Sequence, residues 1–397
     1  MKKNRKKILS VAYLVLVFSV TLILAFYLSR ESKGLFGILG SLNLLWLLGA
    51  LGCMALYLLI ESWAVWYITS FMYKKLGYFY ILKIDIIGNY YGALTPASAG
   101  FQPSQIAYMK RDGVPVGVST FIQTIKLMAY EIVITLLCVV FMIFKGSYFY
   151  QNNPQIFWLS IFGALVNIFV ICVMVLAIVK QNGLKKLVLA ITRFLARIKI
   201  VKHLDKLRIT VENTLNDFHG SAVYLKAYRG KVVLACVLTL IQWMMFFTIP
   251  FCLYNAFGLG LLNGQAGALE TISVFDEAVT LIAMAAFLFL AVHFIPIPGS
   301  SGATEAGFGI FFGSFFFTES AAAMLLWRLI TYYSVIALGF FVIFLDGVSR
   351  KKRNIDKDVL GGQSIPRPLD KSLHPKNWPA ADDALPVPIA KEPPDKK

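Results

Sequence analysis

Long apolar runs alternate with short, mostly basic interruptions along this chain. Runs from about Ile8 to Leu28, Leu42 to Met72, Val116 to Phe144, Gln155 to Val179, Val232 to Tyr254, Ser273 to Phe294 and Glu319 to Leu345 carry few charges. At 1.5 Å per helical residue, each is long enough for a hydrocarbon layer about 30 Å thick. In such a layer only helices and closed barrels satisfy every backbone donor and acceptor. The expected fold class is therefore all-α, a polytopic membrane helical bundle.

Two stretches break this pattern. Between Lys83 and Lys110 the chain reads Asp85-Ile-Ile-Gly-Asn89-Tyr-Tyr-Gly-Ala-Leu-Thr-Pro96-Ala-Ser98-Ala-Gly100, and continues through Phe101-Gln-Pro. Basic pairs flank it at Lys74/Lys75 and Lys110/Arg111, so the positive-inside rule favours a hairpin that dips in and returns. The second stretch follows His293 and contains Pro296, Pro298, Gly299, Ser300, Ser301, Gly302 and Glu305. Proline removes a backbone donor and glycine admits unusual dihedrals, so a helix breaks at both places. Pro96-x-Ser98-x-Gly100 and Pro298-x-Ser300-x-Gly302 share one pattern, one copy in each half. Interrupted segments at matching positions in two halves are the sequence mark of a transporter's midplane site. An inverted repeat is one reading; two independent helix-breaking turns, in a chain with 29 Gly and 15 Pro, is the other.

The expected organisation follows. Residues 1–179 form a first membrane half with a re-entrant segment near 85–108. Residues 180–231 form a basic cytoplasmic linker, either lying against the inner leaflet or solvated and orienting the halves. Residues 232–346 form a second half with a broken segment near 295–318. Residues 347–397, polar and proline-rich, read as a disordered cytoplasmic tail. The N-terminal Met-Lys-Lys-Asn-Arg-Lys-Lys and the Arg350-Lys351-Lys352-Arg353 cluster place both termini in the cytoplasm of a multi-pass cell-membrane protein.

Composition adds exclusions. The chain is 58% hydrophobic and 15% charged over 397 residues, with a net charge of +17. The basic residues cluster beside apolar spans, which argues against DNA as a partner. Five cysteines and four histidines show no metal-ligand spacing, so neither a metal nor another cofactor is expected. No Gly-x-x-x-x-Gly-Lys loop is present, so any transport is passive or ion-driven.

Charges inside apolar spans cost several kcal/mol unless paired or wet. Glu61, Asp85, Lys126, Glu131, Glu305 and Arg328 are such groups. Gln123, Lys126 and Tyr130 share a helix face, from which Glu131 turns somewhat away. Arg328 is expected to pair with Glu305 or with Glu131. Structural ion pairs tying helices together are the plain reading; a polar substrate site is the sharper one. The candidate substrate-binding residues are Lys126, Glu131, Glu305, Arg328, Asn89, Ser98 and Ser300. The candidate breaks are Pro96, Gly100, Pro298 and Gly302.

The first-half stretch from Gly88 to Gly100, leading to Lys110-Arg111-Asp112-Gly113-Val114, and the second-half Pro298–Gly302 with Glu305 and Trp327-Arg328-Leu-Ile-Thr-Tyr332-Tyr333, resemble the membrane region of lysylphosphatidylglycerol synthases, also called multiple peptide resistance factor. The resemblance spans about residues 8–346. It implies a membrane domain that flips aminoacylated phosphatidylglycerol, beside a separate soluble domain that transfers lysine from lysyl-tRNA. Only about fifty residues follow the last predicted span, too few for an ordinary catalytic domain. The leading expectation is a flippase-like lipid translocase whose partners are a phospholipid and the bilayer. Half-helix N-termini after Pro96 and Pro298, with Lys126 and Arg328, would meet phosphate. Glu131 and Glu305 would meet ammonium groups. The alternatives are a phosphatidylglycerol lysyltransferase, and a membrane partner that docks a separate synthase. A homodimer is a further partner expectation.

Overall fold

The computed structural model describes residues 42–73, 76–179, 229–263, 273–293, 295 and 297–359. The predicted span at 8–28, nearly all of the 180–231 linker and the tail beyond 359 lie outside the described residues. What is described is helical, and six helical stretches in it are long and apolar enough to cross a membrane. The fold is an all-α polytopic bundle.

The first half holds α1 (Leu44–Met72), α2 (Tyr78–Ala93), α3 (Phe101–Arg111), α4 (Val116–Asn152) and α5 (Pro154–Val179). The second holds α6 (Arg229–Ala256), α7 (Val274–Val292), α8 (Ala303–Phe316), α9 (Ser320–Arg328), a π-helical turn (Leu329–Tyr333) and α10 (Ser334–Val359). Two boundaries differ from the sequence reading. The gap between the apolar runs that end at Phe144 and begin at Gln155 is helix as far as Asn152, where Phe149 is fully buried and Lys145 reaches Asp276 on α7. The last helix continues past Asp346 to Val359 through a run of mostly straight-chain helix formers.

The two halves interlock. Helices α1 and α6 pack antiparallel: Asn43 N–H donates to Ala256 O (2.9 Å), Tyr57 meets Trp243 with ring centroids 5.5 Å apart, and Lys231 lies over Phe71. Helices α2 and α3 form a hairpin, with Gly92 against Phe101 and Gly88 against Gln105. Helices α7 and α8 form another, with Gly307 against Leu288. The composite helix α9–α10 tells how these hairpins are directed. It leaves the base of the second hairpin near Phe317, where a φ of +45° reverses the chain, and passes the tips, where Arg328 donates to Gly299 O and Tyr332 to Ala93 O. It then follows α2, with Gly339 against Tyr90, to the base of the first hairpin, where Asp346 pairs with Lys83 and Arg111. The hairpins therefore enter from opposite ends and their tips meet midway.

Neighbour relations repeat between the halves. The first arm of each hairpin packs on the long helix that follows the other hairpin, α2 on α10 and α7 on α4. These matched packings are those an inverted repeat would require. The core between the halves is aromatic: Trp243, Phe247, Phe289 and Tyr130 form mutual ring contacts. Such ring pairs contribute about 0.5–1.5 kcal/mol each beyond buried area. That matters in a bilayer, where apolar side chains gain little by leaving lipid and close packing has to hold helices together. Many apolar side chains of the outer helices point outward, among them Leu45 on α1, Phe162 and Phe169 on α5, and Phe340 and Phe344 on α10.

Candidate functional site

The two interruptions touch. Pro96 and Pro298 form an isolated antiparallel bridge. Each opens a tight turn: Ala99 N–H donates to Pro96 O (3.0 Å) and Ser301 N–H to Pro298 O (3.3 Å). The central residues of both turns are left-handed, Ala97 and Ser98 at φ +47° and +52°, Gly299 and Ser300 at +61° and +47°. A non-glycine residue in that region costs roughly 1–2 kcal/mol. The strain persists where surrounding structure over-determines it. In both turns the next helix begins immediately after the motif's glycine, at Phe101 and at Ala303. The shared Pro-x-Ser-x-Gly pattern thus encodes one local structure, used twice.

A cavity of about 430 Å³ lies against the paired tips. That is a size at which pockets take small molecules. Asn89, Ser98, Lys126, Glu131, Ser300 and Arg328 all line it. Glu305 sits directly behind its wall. The aromatic side is built by Tyr57, Trp243, Phe246 and Phe289.

Charge is distributed in three clusters. In the first, Lys126 Nζ lies 2.8 Å from Glu61 Oε1 and 3.1 Å from Asp85 Oδ1. Gln105 donates to Asp85 (2.6 Å) and Asn89 to Glu61 (2.8 Å), so the carboxylates are fixed by amides as well as by the lysine. The ammonium also sits 4.5 Å from the centre of the Phe101 ring. In the second, Arg328 Nη2 and Nε contact Glu305 Oε1 at 2.8 and 2.9 Å, and Nη2 also donates to Gly299 O (3.1 Å). Glu305 stands at the third position of α8, where its Oε2 accepts the Gly302 N–H (2.5 Å), a capping arrangement that the helix dipole favours. Tyr332, four residues after Arg328, lies on the same side of the helix, 5.0 Å from the guanidinium. In the third, Glu131 Oε1 lies 4.0 Å from His293 Nε2, and Tyr130 Oη lies 3.4 Å from His293 Nδ1.

These contacts choose among the options left open by sequence. Arg328 takes Glu305 as its partner, not Glu131. Glu131, which a helical wheel turns away from Lys126, nevertheless faces the cavity, because α4 is surrounded here by α3, α5, α6 and α7. Asp276 stays partly exposed at the far end and pairs with Lys145, whereas Glu277 is fully buried beside the Leu261 N–H. Sequence reasoning passed over Tyr57 and Trp243, since aromatic residues are frequent throughout the chain and carry no positional signal, and it noted Tyr332 only as part of the second-half motif. Gln105 was also passed over; its only trace in sequence is a lone amide on a short helix facing Gly88.

A match to the family described as lysylphosphatidylglycerol synthase TM region runs over residues 8–339, most of the chain and both hairpins. The chain belongs to that family. It is also similar to a UPF0104 membrane protein of Archaeoglobus fulgidus, with 22% identity over 293 residues covering 72% of this chain and 83% of the relative. The family match makes this a multi-pass integral membrane protein, in agreement with the helical bundle. Among the described residues no group of three His, Cys, Asp or Glu side chains is placed to hold a metal ion.

Proposed function

We propose that the protein is a flippase-like translocase that carries the polar headgroup of a phospholipid, such as lysylphosphatidylglycerol, through the cavity at the hairpin tips while the acyl chains stay in the bilayer. The observation that carries this reading is the Pro96–Pro298 contact, which closes two hairpins from opposite ends on one charged cavity. A barrier made of two short tips can open toward either side by a small movement of one hairpin, which is what alternating access requires. Non-helical backbone at this depth is tolerated where it is buried or lines a polar space.

In this reading Asn89, Ser98 and Ser300 offer neutral hydrogen-bonding groups to the headgroup. Lys126 and Arg328 already hold carboxylates, so a lipid phosphate would have to compete with Glu61, Asp85 and Glu305 for them. The positive-inside rule places the hairpin base that carries Lys83, Lys110 and Arg111 in the cytoplasm. Asp276 and Glu319 then mark the opposite face.

The test uses purified protein in vesicles containing aminoacylated phosphatidylglycerol, with a membrane-impermeant amine reagent reporting the lipid in the outer leaflet. The native protein is expected to expose inner-leaflet lipid to the reagent. Arg328→Ala and Glu305→Ala are expected to reduce exposure to that of protein-free vesicles. Native protein that moves no lipid, or variants as active as native at equal protein content, would overturn the proposal.

A further inference from the structure

Among the described residues, two of the three charge clusters on the cavity contain a permanent cation, and the third does not. Lys126 balances Glu61 and Asp85, and Arg328 balances Glu305. Glu131 is 3% exposed, and its Oε2 has no hydrogen-bond partner among the described residues. A carboxylate held at this depth without a cation is strongly disfavoured. Its nearest basic group is His293, an imidazole that is charged only when it carries a second proton. Among the described residues, a proton on one of these two groups, and not a lysine or arginine, sets the charge of this cluster.

The surroundings fit that role. His293 caps the C-terminal end of α7, where the helix dipole favours a cation. It also stands immediately before the second interruption, so its state bears on the tip that meets Pro96. Within α7–α8, Ser300 Oγ donates to Val292 O, tying the turn to the residue beside His293. Among the described residues, these groups line the cavity beside Glu131 or pack against it from the neighbouring elements. Helix α4 itself contributes Tyr130 and Lys126, α1 contributes Tyr57 and Glu61, α7 contributes His293, and Arg328 lines the cavity from α9. Helix α5 contributes the neutral Asn167, whose amide hydrogen-bonds the Glu131 carboxylate as well as donating to Thr135 Oγ1, and α6 contributes Trp243.

We propose that Glu131 and His293 form a proton-binding site that couples the movement of one proton to the passage of a headgroup through the cavity. This rests on the translocase reading above. A proton from water adds to a carboxylate oxygen of Glu131 when the cavity opens to one side, and leaves to water from the same oxygen when it opens to the other. No other covalent bond changes. One proton per lipid would set a lipid asymmetry of about tenfold for each unit of imposed pH difference.

Two measurements on the full-length protein test this. In lipid vesicles with a pH gradient, native protein is expected to build that asymmetry, with lipid movement accompanied by a pH change read by an entrapped dye. Glu131→Gln is expected to lose both. Separately, infrared difference spectra of the purified protein between about pH 5 and about pH 9 should contain a carboxylic-acid C=O band that Glu131→Gln removes and His293→Gln shifts. Lipid movement that ignores the gradient and moves no protons would overturn the coupling and leave the translocase reading standing. Absence of the band would overturn the proton site itself. A band without lipid movement under any condition would support the proton site while removing the translocase reading and the coupling.

Discussion

The Arg328–Glu305 pair separates a structural role from a functional one. Both side chains are almost wholly buried, 6% and 2% exposed. Arg328→Met removes a guanidinium that makes two contacts to Glu305 Oε1 and one to Gly299 O. It leaves the carboxylate with the Gly302 N–H as its capping donor, in a setting where breaking one side of a buried pair costs about 3–5 kcal/mol. The double variant Glu305→Gln/Arg328→Met should be far milder. Glutamine still suits the capping position, methionine fills much of the arginine's volume, and no buried charge remains. A cost within about 1–2 kcal/mol of native is expected for it, so the two sites should be coupled by more than about 2 kcal/mol. Denaturant unfolding in mixed micelles, followed by far-ultraviolet circular dichroism, measures all four corners of the cycle. Lipid exposure in vesicles is then measured on the same proteins. The double variant is expected to fold and to stay inactive. A single Arg328→Met cost below about 1 kcal/mol, or a double variant no more stable than that single one, would refute the claim that this is a desolvated, mutually dependent pair.

Further tests address the contacts between the halves. Replacing the native cysteines and introducing Pro96→Cys with Pro298→Cys should give a disulfide on mild oxidation, because bridged residues lie at roughly the 4.5–5.5 Å Cα separation that a disulfide accepts; the cross-linked protein should stop moving lipid until reduced, and absence of cross-linking would contradict the tip-to-tip contact. Gly299→Ala places a Cβ 2.5–2.6 Å from ring atoms of Tyr332 at a φ of +61°, so it should lower stability and displace the Tyr332 hydroxyl from Ala93 O, with Tyr332→Phe alone costing about 1 kcal/mol in the same unfolding assay. Lys126→Met should destabilise strongly, since it strands both Glu61 and Asp85, and the triple variant that also carries Glu61→Gln and Asp85→Asn should recover stability. Asp346→Asn, by contrast, should cost less than about 1 kcal/mol, because Lys83 and Arg111 are 28% and 36% exposed.

Hydropathy and breakers alone determined much here. Long apolar runs demand helices because hydrocarbon offers no partner for backbone groups, and Pro96 and Pro298 must interrupt helices wherever they sit. Glu61, Asp85, Lys126, Glu131, Glu305 and Arg328 could be singled out in the same way, since burying charge in apolar sequence is costly in any fold. Only the tertiary structure decided which acid meets which base. Glu305 and Arg328 are 23 residues apart and Asp85 and Lys126 are 41 apart, so no helical periodicity relates them. It also decided that two short breaks with the same five-residue pattern come from opposite ends and close on each other. That contact depends on the packing of α2 on α10 and of α7 on α4, long-range pairings that local sequence does not encode. The setting of Glu131 is likewise tertiary, because which charged groups stand within reach of a carboxylate is set by the packing of several helices.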